Sequence, residues 1–202
     1  MRSKPVFASL LLIAFGCAPK RALYVDAEFR AWVPVRVAVL PFLNQSTYLT
    51  GPVMLRKMLQ QKLSQSGWNL VSLEEVDEKL KELGVTDAGQ LKVYSQAELG
   101  SRLGAESLLY GELEEFSSQN VGVYSKREVR LGLKLFQAKD GLRLWEDMES
   151  QKKSDLKLNK QAAARSFVKG LAARAAENIF QSPLRRESEE VVRRLVNKLN
   201  KR

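Results

Sequence analysis

Between Val121 and Leu135 the chain alternates. Valine or leucine stands at 121, 123, 129, 131, 133 and 135, while Lys126, Glu128, Arg130 and Lys134 take even positions between them. Successive side chains of a strand point to opposite faces, so a period of two predicts a strand with one packed face and one wet face. Asp140-Gly141 follows, a dipeptide suited to a tight hairpin turn. Leu142 to Met148 then reads as the returning partner strand.

The first half has another style. Val35 to Leu40 is β-rich and runs into Pro41-Phe42, which predicts a buried strand. Asn44 to Thr47 is a polar turn. Residues 51–66 predict a helix with Val53, Leu55, Met58, Leu59 and Leu63 on one stripe, stopped by Gly67. Trp68 to Val71 predicts a second short strand. Ser72 with Glu75, and Ser95 with Glu98, have capping-box spacing and open helices that end near Gly84 and Gly104. Residues 85–94 read as a loop or short helical turn, and 105–113 as a strand. After Met148 comes a long polar stretch, then a helix over 160–180 with Ala163, Phe167, Leu171, Ala175 and Ile179 on one face. Pro183 breaks it, and a basic amphipathic helix runs over 187–200. The predicted fold class is α/β: a mixed sheet of about five strands with helices packed on it, a long hairpin in the C-terminal half, and one or two C-terminal helices.

The amino terminus fixes the compartment. Arg2 and Lys4 precede a short apolar run, Pro5 to Ala14, broken only by Ser9. Such a run is too short to span a bilayer and fits a secretory signal. It ends in Ile13-Ala14-Phe15-Gly16-Cys17, which resembles a bacterial lipobox, and Cys17 is the single cysteine of the chain. The resemblance implies cleavage before Cys17 and acylation of its thiol. Ala18 in the next position implies, by similarity to enterobacterial sorting, an anchor in the outer membrane facing the periplasm. The expected organisation is a signal peptide at 1–16, a lipidated tether at 17–34 with a span on the order of 20 Å, an α/β domain at 35–182, and the C-terminal basic helix at 183–202.

Composition removes function classes. The chain has no histidine, and its one thiol is assigned to lipid. That excludes histidine-based acid–base chemistry, Ser-His-Asp and Cys-His arrangements and ordinary zinc sites. Ser150 to Lys153 and Ser154 to Lys157 match an SxxK pattern, but they lie in a polar stretch without the helix that serine–lysine chemistry needs. Glu112, Glu114 and Glu115 read as a solvated strand face. No catalytic residue, metal or cofactor is expected. The formal charge is +10, and loss of Arg2 and Lys4 leaves +8. In the periplasm this excess points to anionic lipid, lipopolysaccharide or an acidic protein, not nucleic acid; because the basic residues are scattered among acids, the alternative is an ordinary solvated surface.

Val37-Ala-Val-Leu-Pro-Phe42, followed by Asn44 and Ser46, resembles the opening of periplasmic α/β domains of the TolB amino-terminal and CsgG kind. Gly104-Ala105 leading into Leu108-Leu-Tyr-Gly-Glu-Leu113, and the hairpin ending Asp140-Gly-Leu-Arg-Leu-Trp-Glu146, are similar to a bacterial lipoprotein family of the meningococcal surface-lipoprotein-antigen type. The resemblance covers roughly 35–180. It implies a small α/β domain, an anchor at Cys17, envelope protein partners and a part in envelope transport or assembly, often as a homo-oligomer, and it supplies no catalytic residues. The expected function is a non-enzymatic scaffold or accessory subunit; the alternative is a pore-forming, curli-type secretion subunit. Membrane-crossing hairpins need an apolar band of about 9–11 residues per strand, and here Ser125 and Arg127 interrupt it.

Three groups of residues are candidates for recognition. Asn44, Gln45, Ser46 and Thr47 lie just past a strand's carboxyl end, where open α/β sheets bind ligands; the alternative is a self-satisfied turn. Trp145 is either an interface anchor or sheet packing. Arg193, Arg194, Lys198, Lys201 and Arg202 rim the last helix, which contacts either a membrane or acidic partner, or its own domain.

Overall fold

The structure, a computed structural model, describes residues 23–30, 36–121, 124–156 and 184–201. Cys17 with most of the tether, the helix expected over 160–180, and Arg202 lie outside the described residues.

One mixed sheet of six strands forms the centre. β1 (Tyr24–Val25), β2 (Val37–Val39), β3 (Leu43–Asn44), β4 (Ser107–Val121), β5 (Tyr124–Gln137) and β6 (Arg143–Leu156) run in the order β1-β6-β5-β4-β2, with β3 also on β4. β2 and β3 are parallel to β4. β4, β5 and β6 make an antiparallel meander, and β1 pairs antiparallel with β6 at the far edge. Four helices are described: α1 (Gly51–Gln65), α2 (Leu73–Glu82), α3 (Gln96–Leu103) and α4 (Arg185–Leu199). The expected loop at 85–94 holds a 3-10 turn at Ala88–Val93.

Local chemistry accounts for the helix ends. Ser72 and Ser95 each accept a hydrogen bond from the backbone N–H three residues on, satisfying a donor that the first turn leaves unpaired. Gly104 ends α3 in the left-handed conformation (φ 62°), which glycine adopts without steric cost.

The sheet buries both faces near β2. On one, α1 and α4 cover Val37, Val39, Leu109, Leu133, Leu135 and Trp145. On the other, Val76 and Leu80 of α2 and Leu99 and Leu103 of α3 pack on Ala38, Leu40 and Leu108. The alternation of 129–135 holds in space, since Val129, Leu131, Leu133 and Leu135 are all fully buried on the α4 side.

Four local expectations change. The strand expected from Val121 is two strands: Val121 ends β4, and β5 starts at Tyr124. The polar stretch after Met148 is a continuation of β6, whose ladder with β5 runs to Leu156, so the SxxK run Ser150 to Lys153 is extended backbone. Trp68 to Val71 makes a single parallel bridge from Leu70 to Val37 instead of a strand. In α1, Val53 is 70% exposed while Arg56 is buried. The Arg56 guanidinium donates to the Val39 carbonyl (3.1 and 2.9 Å) and pairs with Asp77 (2.6 Å), tying α1 to β2 and α2. A five-donor fork can satisfy several acceptors at once, which suits arginine to a buried junction of this kind.

Candidate functional site

The helices leave part of the sheet open. α2 and α3 cover the side of β4 that adjoins β2, but the same face of β5 and β6 carries no described helix. A groove of about 590 Å³ lies there, between the sheet and the turn that leads into α3. Tyr110 of β4, Gly132 and Phe136 of β5 and Met148 of β6 line it, with Leu91 and Tyr94 opposite. Tyr110 and Phe136 meet edge to face, with centroids 5.4 Å apart. Gly132 sits between Glu112 and Met148 in the ladder. A Cβ added there would lie 3.5 Å from the Met148 methyl, in ordinary contact, so the missing side chain is what keeps this part of the groove clear.

Charges cross the apolar surface. Lys134 pairs with Glu146 at 3.7 Å, and Arg143 pairs with the same carboxylate at 2.6 Å while its guanidinium stacks over Tyr24 (4.3 Å). Glu112 accepts a hydrogen bond from the Gln45 side chain. Burial pushes the Tyr110 phenol up to about 12. The Tyr110 hydroxyl therefore stays protonated at physiological pH and can donate to a ligand's acceptor. Aromatic walls with a few fixed polar groups are the usual make-up of a binding site.

The loop at Asn44–Thr47 forms a self-satisfied turn. Asn44 Oδ1 accepts from the Ser46 N–H (3.0 Å) and hydroxyl (2.7 Å), and Asn44 Nδ2 donates to the Tyr48 carbonyl (3.2 Å). Gln45 faces Glu112, and Thr47 is exposed. Beyond the turn, Leu49 is 85% exposed. Trp145 is fully buried between the sheet and its helices. It presents no surface to a partner; its cross-strand neighbours are the half-buried Val25 and the buried Leu135.

The terminal helix docks on its own domain. Val191, Val192, Leu195, Val196 and Leu199 are at most 2% exposed. Its cations meet an acidic row of β6: Lys198 lies 2.6 Å from Asp147 and 2.5 Å from Glu149, and Arg194 lies 3.9 Å from Glu149. Arg193 and Arg194 also hydrogen-bond Glu190, whose carboxyl they hold down to about 2. Of the two alternatives for this helix, its apolar stripe takes the second and lies inside the core of its own domain, and three of the rim cations are in ion pairs. Lys201 is exposed.

Sequence reasoning missed the groove, although its signal was present. Tyr110, Gly132, Phe136 and Met148 occupy positions of the wet face where a solvated strand would carry charge. Among the described residues, no three histidine, cysteine or acidic side chains gather as a metal site, and no helix is long and apolar enough to cross a membrane.

Comparison with known proteins agrees with the resemblance drawn from the motifs. A relative from Neisseria meningitidis serogroup B is 24% identical over 145 residues, spanning 70% of this chain and 67% of its own. The crystal structure of lipoprotein GNA1162 from Neisseria meningitidis superposes with a TM-score of 0.57 at 22% identity, covering 71% of this chain and 99% of that one, and so shares the fold. Residues 24–199 match the family described as "Putative lipoprotein GNA1162-like", and the chain belongs to that family.

Proposed function

We propose that this protein is a non-enzymatic envelope lipoprotein. Cys17 anchors it in the outer membrane, facing the periplasm, and the domain serves as an oligomeric scaffold or accessory subunit of a transport or secretion apparatus. The groove on the open face of β4 to β6 carries this reading. It combines aromatic walls, a bare glycine and opposed charges, a surface that fits an extended peptide segment of an envelope partner better than a diffusing ion.

The described strands give the pore-forming alternative little support. Rows at Arg127 and Lys153 on one face, and at Lys126, Glu128 and Lys152 on the other, place charge on both faces of the distal sheet. An apolar band of about 9–11 residues per strand does not fit between them.

Photo-crosslinking in intact cells tests the groove. A photoreactive residue at Met148 is expected to capture one discrete partner, and Gly132→Leu, which fills the groove without entering the core, is expected to abolish capture while Tm stays within about 3 °C of the parent, as a change of under about 1 kcal/mol implies for a domain of this size. Unchanged capture in a folded Gly132→Leu protein would remove the groove from the proposal.

A further inference from the structure

The distal end of the meander carries an apolar row that the fold does not use. Val121, Tyr124 and Leu156 are cross-strand neighbours in one register row at the ends of β4, β5 and β6. They are 71%, 39% and 62% exposed. Three adjacent apolar side chains at a strand end are costly to leave in water, since each buried methylene contributes about 0.8 kcal/mol. Just above them on β6, Lys152 and Lys153 point to opposite faces, are exposed, and form no ion pair among the described residues. Of the nearby acids, Asp155 lies 4.0 Å from Arg127, and Glu128, the cross-strand partner of Lys152, pairs with Lys126 (2.8 Å) and Arg130 (2.9 Å). An apolar tip under a collar of exposed lysines suits a lipid headgroup layer, where long cationic side chains reach the phosphates while the tip enters the acyl boundary.

The tether leads toward the same end. β1 is antiparallel to β6, with Tyr24 opposite Glu146 and Val25 opposite Trp145. Moving back from Val25 to Leu23 therefore moves along β6 toward Leu156. Five residues lie between Cys17 and Leu23, and the six backbone steps reach at most about 20 Å. The remaining length of β6, from Asp147 to Leu156, is roughly 30 Å. A lipid at Cys17 keeps the bilayer within about 20 Å of Leu23, less than the roughly 30 Å to the tip, so the tip meets the bilayer only with the strands leaning at least about 45° from the membrane normal.

We propose that Val121, Tyr124 and Leu156, collared by Lys152 and Lys153, dock onto the anionic bilayer surface to which the chain is anchored, so that the sheet leans over the membrane with its distal end in contact. The orientation rests on the anchor at Cys17, and flotation of the same samples reports the anchor separately from the docking.

The test uses the full lipoprotein in vesicles of phosphatidylethanolamine and phosphatidylglycerol. Leu156→Cys and Val121→Cys each receive an environment-sensitive fluorophore. Val93→Cys, at a residue 82% exposed away from the tip, is the control. In the floated fraction, labels at 156 and 121 are expected to shift to the blue and to be quenched by aqueous iodide several-fold less than the label at 93. The same labels in the Cys17→Ser protein without vesicles should be quenched alike. Lys152→Glu with Lys153→Glu is expected to reduce the docked population by about an order of magnitude or more, as two cations at an anionic surface imply. Equal quenching at 156 and 93 in protein that floats would overturn the docking. Protection at 156 that persists without vesicles would also overturn it, because another protein surface would then be covering the tip.

Discussion

Leu195→Asp is expected to leave no cooperatively folded domain. Leu195 is fully buried between α4, α1 and the sheet. An unpaired carboxylate there meets only apolar neighbours, and isolated buried charge costs many kcal/mol, against a total stability of about 5–15 kcal/mol for a domain. The graded variant Leu195→Ala is expected to remain folded but to lose about 2–5 kcal/mol. At roughly 2–4 °C per kcal/mol for a domain of this size, that is a drop of about 4–20 °C in Tm. Lys201→Asp, at the exposed end of the same region, should leave Tm unchanged. Thermal unfolding followed by circular dichroism separates these cases. A folded Leu195→Asp protein with the parent's Tm would mean that α4 is not part of the core, and would return the helix to the membrane or to a partner.

Trp145→Ala is expected to cost about 3–5 kcal/mol, the range for removing a buried tryptophan. Its indole N–H has no hydrogen-bond partner among the described residues, so the loss is one of packing. Trp145→Phe, which keeps most of the ring, should therefore cost far less. The pair distinguishes core packing from an interface role. If Trp145 anchored a partner, Trp145→Ala would leave Tm unchanged and would reduce partner capture instead.

What the sequence revealed depended on whether a single periodicity governed the segment. The alternation over 129–135, the serine caps at 72 and 95 and the stop at Gly104 were legible because each follows from one local rule. The distal half of β6 was not legible. Residues 149–155 carry polar groups on both faces, so no period emerges, and the strand is specified by its ladder with β5. The destination of α4 was equally hidden. A basic amphipathic helix suits a bilayer and an acidic strand alike. The deciding residues, Asp147 and Glu149, share a face of β6 with Trp145, where polar residues in a hairpin read as ordinary solvated positions. Arg56 was missed for a similar reason: the helical stripe through α1 marks apolar residues, whereas the buried carbonyl of Val39 needed a donor.

The site was legible in outline only. Asn44 to Thr47 were picked out by their place after a strand, and the structure shows Asn44 and Ser46 occupied by the turn itself and Gln45 bonded to Glu112. The groove instead uses residues that break the expected polarity of the wet face. Tyr110, Phe136 and Met148 stand there in place of charge, with Gly132 keeping the space between them open.

Intact-mass and amino-terminal peptide analysis of the protein extracted from membranes tests the anchor, on which the proposed function depends. The expected species lacks residues 1–16, begins at Cys17 and carries acyl chains on that residue. A species that begins at Met1 and keeps a free thiol at Cys17 would contradict it.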